Sequence, residues 1–245
     1  METRALVFGA TGYTGHHIVQ RLTAGSIATV AHVRADSPRG EEWEGRFRSY
    51  GAEISRASWE ASEITSLVKD AAPTWIFALL GTTRARKKDL VARGEDGAQE
   101  TYEAIDRDLT LMALEAAAGL DSRPLFVYLS SLGADVSARL PYLKVRGEVE
   151  RRIAESALPH VIAQPGFITG ADRPESRPME RVGAVLSDGA LSALAAVGLR
   201  GPHAKWASMS GDQLAAGLIA AARDAGSEAS TTLEPPALRQ LAAAG

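Results

Sequence analysis

The sequence predicts an α/β fold, a doubly wound parallel sheet with helices on both faces, and three observations carry that expectation. Short, nearly continuous apolar runs alternate with helical periodicity as far as Pro165. A glycine-rich turn joins the first run to the first helix. The chain has 245 residues, 45% of them apolar and 23% charged, which suits a single domain with a substantial core and argues against disorder. Strands alternating with helices imply right-handed crossovers. Strands that are apolar almost throughout are what a sheet covered on both faces requires.

The elements follow in order. Ala5–Phe8 is a strand that ends at Gly9, and Ile18, Val19 and Leu22 share one face of the helix that follows. Ile27–Val33 is a β-branched strand. Ile64, Leu67 and Val68 mark a helix ahead of Pro73, and Trp75–Leu80 is a buried strand stopped by Gly81. Leu109, Met112, Ala113 and Ala116 have helical spacing, and Pro124–Leu129 is strand-like. Leu143–Ala157 reads as a charged amphipathic helix and His160–Ala163 as a strand ended by Pro165-Gly166. Beyond Pro165 come a loop at Ala171–Glu180, an Ala/Leu/Gly-rich stretch at Val182–Leu199, and Ser210-Gly211-Asp212-Gln213, a capping box before the helix Leu214–Ala222. The tail Gly226–Gly245 reads as a short strand and a helical turn. The chain is thus expected to be one nucleotide-binding domain over 1–245, with 166–245 as a substrate-side extension.

Composition excludes several function classes. A formal charge of -3 gives no general attraction to nucleic acid or anionic membranes, and the cluster Arg84, Arg86, Lys87 and Lys88 lacks interleaved aromatics. The absence of cysteine removes disulfides, thiolate metal sites and a cysteine nucleophile. Five scattered histidines make no metal-ligand pattern, and His16 and His17 read as helix-surface residues. No apolar run approaches the ~18 residues of a membrane span, and none near the start resembles a signal peptide. These features predict a soluble, cytoplasmic protein.

Ala5-Leu6-Val7-Phe8-Gly9-Ala10-Thr11-Gly12-Tyr13-Thr14-Gly15 is the most informative stretch. Gly9 lets the chain turn tightly off the strand, Gly12 clears the approach of a pyrophosphate, and Gly15 lets the helix pack close to the sheet. Helix N-terminal amides face the anion there. The spacing Gly-x-x-Gly-x-x-Gly after a strand and before an amphipathic helix predicts a bound dinucleotide. The second strand delivers Arg34 to the ribose position, where an arginine suits a 2′-phosphate and an acid would suit two ribose hydroxyls. NADP(H) is therefore the expected cofactor and NAD(H) the alternative. Asp36 weighs against this choice, Arg39 could reinforce it, and a solvated surface arginine is the other reading of Arg34.

Leu80-Gly81-Thr82-Thr83-Arg84, Leu129-Ser130-Ser131-Leu132-Gly133-Ala134, Tyr142-Leu143-Lys144-Val145-Arg146-Gly147-Glu148-Val149-Glu150 and Gln164-Pro165-Gly166 accompany the glycine motif. Together they make the chain resemble the atypical short-chain dehydrogenases/reductases, above all the Tat-interacting-protein-type oxidoreductases. The loop Asp172-Arg173-Pro174-Glu175-Ser176-Arg177-Pro178 is similar to that subgroup's own. The resemblance implies a Rossmann-like fold, NADP(H) binding and a Ser-Tyr-Lys site. By position it makes Ser131 and Tyr142 catalytic, with Arg146 in the lysine's place. Gly9, Thr11, Gly12, Tyr13, Thr14 and Gly15 would hold the pyrophosphate. Arg34, Leu80, Gly81, Thr82, Ser130, Pro165 and Gly166 would line the rest of the cofactor.

The chain departs from that family at Arg146. Residues four apart stack on one helix face, so the charge and its placement persist, but a guanidinium does not release a proton. Lys144 lies about 200° around the axis from Tyr142 and is not an obvious substitute. Tyr142 can also be read as a partly buried aromatic at a helix start, and Glu148, Glu150 and Arg152 as a solvated, ion-paired face. Trp59, in Ala57-Ser58-Trp59 after the third strand, either borders the adenine or is an ordinary core or surface tryptophan. Two functions follow. One is an NADPH-dependent oxidoreductase acting on a small carbonyl compound; the other is a catalytically weak NADP(H)-binding regulator or scaffold with a protein partner. A homodimer is compatible with either. A nucleotide-sugar epimerase is disfavoured, because only about 80 residues follow the sheet for a substrate lobe. Substrate choice is expected to lie in Arg84–Gln99 and Asp172–Leu199.

Overall fold

The computed structural model describes residues 2–81, 101–169 and 208–244. The expected segments Arg84–Gln99, Ala171–Glu180 and Val182–Leu199, together with Thr82, lie outside the described residues.

Seven strands form one parallel sheet: β1 (Arg4–Phe8), β2 (Ala28–His32), β3 (Glu53–Ser55), β4 (Trp75–Ala78), β5 (Leu125–Leu129), β6 (His160–Ala163) and β9 (Ser230–Leu233). Their order is β3-β2-β1-β4-β5-β6-β9, so the winding reverses between β1 and β4. Ligands of open α/β sheets bind at such a switch point, outside the carboxyl ends of the strands. A small second sheet pairs β7 (Ile168–Thr169) with β8 (Met209–Ser210).

The helices are α1 (Tyr13–Ala24), α2 (Gly40–Ser49), α3 (Ala61–Ala71), α4 (Leu109–Ala118), α5 (Pro141–Glu155), α6 (Gly211–Asp224) and α7 (Pro235–Ala244). A π-helical segment, Tyr102–Asp108, runs directly into α4. The doubly wound expectation holds. Successive residues of β1 show why its sequence is apolar throughout. Ala5 and Val7 enter the core layer with Ile18, Val19 and Leu22 of α1, while Leu6 and Phe8 enter the other layer with Ile64 and Val68 of α3.

Apolar periodicity does not predict α2. Only Trp43 and Phe47, four apart, point inward, and Glu41, Glu42, Glu44, Arg46 and Arg48 surround them. The third strand is only three residues long at the sheet edge. The capping box forms as expected: Ser210 Oγ accepts from Gln213 N at 3.1 Å and Gln213 Oε1 accepts from Ser210 N at 2.9 Å. The tail makes the expected strand, which pairs with β6, but α7 is a ten-residue helix where a single turn was expected. It crosses α6 at Gly217, where a Cβ would stand 2.7 Å from Leu238 O. Leu214, Ala215 and Leu218 of α6 fill the same core layer as Ala5 and Val7. No helix of the described residues is long and apolar enough to cross a membrane.

Candidate functional site at the sheet's switch point

The glycine turn after β1 meets the end of β4. Gly9 has φ +76°, and a Cβ there would lie 2.7 Å from Leu79 O, so only glycine turns the chain here. A Cβ on Gly15 would lie 2.1 Å from Gly9 O and 2.9 Å from Ala10 Cα, which ties the close packing of α1 on the sheet to that glycine. Gly12 is the N-cap of α1 and donates its N–H to Gly9 O at 2.9 Å. No side chain caps this helix, and its first turn holds no acidic residue. Among the described residues the positive end of the helix dipole thus has no side-chain cap and no acidic residue in its first turn, which fits a phosphate group.

The other residues of this turn do different things. Thr11 is half-exposed and Thr14 is buried. The Tyr13 hydroxyl donates to Thr169 O at 3.2 Å, tying α1 to β7. His16 and His17 correct the surface reading. His16 is buried, its ring lies 4.0 Å from that of His17 and 5.7 Å from Trp43, and its Nδ1 is 3.1 Å from Gly12 O.

At the carboxyl end of β2, Arg34 pairs with Asp36 at 3.0 Å, leaving the arginine about a quarter exposed. Arg39 pairs with Glu42 instead. Arg56, absent from the sequence expectations, donates to Ala35 O at 2.7 Å and pairs with Glu44 at 3.0 Å. Trp59 packs against Phe8 and His32, with ring centroids 5.3 and 5.0 Å away.

His32 is buried with Nε2 2.9 Å from Ala57 O, and burial holds its pKa below the ordinary 6.5. The unfolded chain takes up a proton near 6.5 that the folded chain refuses until lower pH. Stability is therefore greatest above 6.5 and declines as pH falls from there toward the folded value. We expect the thermal midpoint to fall between about pH 7 and about pH 5, and the fall to shrink in a His32→Gln variant. An unchanged pH dependence in that variant would contradict the assignment.

The end of β5 and the start of α5 form the other half of the site. Ser130 is buried and its hydroxyl donates to the Glu150 carboxylate, which also accepts from Gln164 Nε2 at 2.9 Å on each oxygen. The Ser130 side chain is thus committed to the protein, against its expected cofactor role. The solvated reading of Glu150 is likewise corrected: burial pushes its carboxyl above the ordinary range, while the bonds from Ser130 and Gln164 oppose that. Glu148 and Arg152 keep ion-pair partners on neighbouring helices, Arg107 at 3.4 Å and Glu115 at 3.7 Å. Ser131 is half-buried, beside the loop in which Leu132 N donates to Pro165 O at 2.9 Å. Pro165 is buried and Gly166 half-buried at the end of β6.

Tyr142 lies in the first turn of α5, half-exposed, and Arg146 lies one turn further on. Lys144 is exposed, on a different face from Tyr142. Arg146 does not reach outward as a ribose ligand would. It is 5% exposed, and it bonds Asp106, which is fully buried, at 2.5 Å. It also donates to Leu80 O at 3.0 Å, to Tyr128 Oη at 3.3 Å and to Leu129 O. Burial opposes its charge most strongly, but Tyr128, Tyr142 and Asp106 around it hold its pKa above the ordinary value. Gly81 makes room for this group: a Cβ there would stand 3.0 Å from Arg146 Nη2. Sequence reasoning missed Asp106. The one available signal is that it falls on the stripe of Leu109 and Ala113, where a charged residue demands a buried partner.

Known proteins resemble this chain in sequence and in fold. A family model described as NAD(P)H-binding matches residues 9–225. The chain is 32% identical over 201 residues to "Protein FMP52, mitochondrial" of Coccidioides immitis, covering 78% of this chain and 75% of that protein. It is 38% identical over 105 residues to "Protein HTATIP2" of Rattus norvegicus, covering 42% of this chain and 38% of that one. A UDP-glucose 4-epimerase from Brucella ovis, solved in complex with NAD, superposes with a TM-score of 0.64 at 14% identity. That superposition covers 97% of this chain and 81% of the epimerase, a likeness of fold. The expectation of a cytoplasmic protein is overturned by the fungal relatives, which are named mitochondrial proteins. That expectation rested on composition and on an unremarkable N-terminus, neither of which reports an organelle. The glycine turn, the switch point and these matches together place the chain in the NAD(P)H-binding family, as an atypical short-chain dehydrogenase/reductase of Rossmann fold.

Proposed function

We propose that the protein is an NADP(H)-dependent oxidoreductase acting on a small carbonyl compound. The observation that carries this reading is the placement of Tyr142. It sits one turn before Arg146, whose guanidinium bonds the carbonyl oxygens of Leu80, just past β4, and of Leu129, the last residue of β5. A phenol held there packs against Tyr102 and lies over the Arg146 guanidinium. Gly9, Thr11, Gly12, Tyr13, Thr14 and Gly15 hold the pyrophosphate, largely through the backbone. Gly81 would approach the cofactor's ribose beside Leu80, and Pro165 and Gly166 would flank the nicotinamide; Thr82, expected at the ribose, lies outside the described residues. When bound, the dinucleotide supplies the two-electron reduction. Tyr142 gives its proton to the carbonyl oxygen, and Ser131 donates a hydrogen bond that orients that oxygen.

The test is oxidation of NADPH by the purified protein across a panel of small aldehydes and ketones. Saturable turnover on some members is expected, and none on any would overturn the reading. Arg34 supports the preference for the phosphorylated cofactor. In Arg34→Ala the Kd for NADPH should rise about tenfold or more while that for NADH stays within about twofold. Equal effects on both would refute the assignment.

A second reading is favoured by the inward turn of Arg146, which leaves no proton-releasing cation on the Tyr142 face of α5. In that reading the chain binds NADP(H) and reports its state to a protein partner. Tight cofactor binding without turnover on the same panel separates the two.

A further inference from the structure

We propose that Asp106 and Arg146 form a buried charge clasp that positions Tyr142 from beneath, and that Arg146 makes no contact with the dinucleotide. The positioning role rests on the reading of Tyr142 as the proton donor; the absence of cofactor contact does not.

The argument begins with the donors. Arg146 Nη2 is committed to Asp106 Oδ1 and Leu80 O, and Nη1 to Leu129 O and Tyr128 Oη. All four N–H groups of the two terminal nitrogens are thus directed at protein acceptors, on a side chain only 5% exposed. A planar fork of donors can serve four acceptors on three sides; an ammonium with three donors on one atom cannot. The arginine in place of the usual lysine therefore belongs to a different device.

That device has two further parts. A cation this deep requires a compensating carboxylate, and fully buried Asp106 supplies it. Asp106 lies on the π-helical segment Tyr102–Asp108, and the same segment carries Tyr102, whose ring lies 5.2 Å from that of Tyr142. The guanidinium carbon lies 5.3 Å from the Tyr142 ring centroid. One short segment thus provides both the counter-charge for Arg146 and the aromatic wall beside Tyr142. Such π-helical turns recur at functional sites. Gly81 completes the clasp, because a side chain there would press on Nη2.

The test compares Asp106→Asn, Arg146→Gln and the double variant in three measurements. By fluorescence titration, the Kd for NADPH should stay within about twofold of wild type in Arg146→Gln and in the double variant; a tenfold weakening would make Arg146 a cofactor contact and overturn the proposal. Each single variant strands one buried charge and the double strands none, so the double should melt above both single variants. Additive losses would contradict a clasp. Turnover in Asp106→Asn should drop at least tenfold in kcat at unchanged KM for NADPH, with no further drop in the double variant; a multiplied loss would show that Asp106 does not act through Arg146. If the wild type turns nothing over, the proposed reaction fails while the binding and melting measurements still decide the clasp. If neither single variant folds, the double carries both measurements: NADPH affinity like the wild type's upholds the proposal and lost affinity overturns it.

Discussion

Gly15→Ala is expected to abolish dinucleotide binding and to lower stability by about 3 kcal/mol, the upper end of the usual overpacking range. The added methyl would fall 2.1 Å from Gly9 O and within 3 Å of two Ala10 backbone atoms, so it meets main chain that cannot rotate away. Relief requires α1 to lift from β1. That movement carries the Gly12 cap and the first-turn amides with it, the groups proposed to face the phosphates. Gly12→Ala is a useful contrast. Its methyl would stand 3.1 Å from Gly9 O, a contact that a shift of a few tenths of an ångström relieves, so that variant should fold like the wild type. Thermal unfolding together with NADPH titration checks both. A Gly15→Ala protein that binds NADPH as the wild type does would show that this turn is not the phosphate site.

Tyr142→Phe is expected to remove catalysis while sparing everything else. The substitution deletes one hydroxyl and leaves the ring against Tyr102 and over the Arg146 guanidinium, so the clasp and the fold persist. Loss of a positioned general acid typically costs 10²–10⁴ in rate, and a fall in kcat of about 100-fold or more corresponds to about 2.7 kcal/mol of transition-state stabilisation. The Kd for NADPH should not change. Steady-state kinetics on a carbonyl substrate and a binding titration check the pair of expectations. A kcat within about twofold of wild type would assign the proton to another group.

Much of the fold was legible because its determinants are local. The run Ala5–Phe8 followed by three glycines specifies a strand, a tight turn and a close-packed helix, and the structure supplies the reason for Gly9 and Gly15 atom by atom. The capping box at Ser210 is equally local. What escaped the sequence depends on partners distant along the chain. In α2, inward-facing Trp43 and Phe47 are outnumbered by charges, so no apolar stripe announces the helix. The tail helix begins at Pro235-Pro236, residues that punctuate a sequence as readily as they open a helix.

The site divides the same way. The glycines, Tyr142 and Arg146 were visible as a spaced pattern, but the direction in which Arg146 points depends on Asp106, forty residues away and without a motif of its own. Ser130 and Ser131 look alike in sequence. Only the half-buried Glu150, one turn beyond Arg146, shows that the first is committed to the scaffold.

The central claim is that a nicotinamide dinucleotide rests on the amides at the start of α1. Calorimetric titration of the purified protein with NADPH and with NADH tests it most directly. Saturable heat at one site per chain is predicted for both, with NADPH the tighter ligand. An absence of heat with either compound at millimolar concentration would contradict the account at its root.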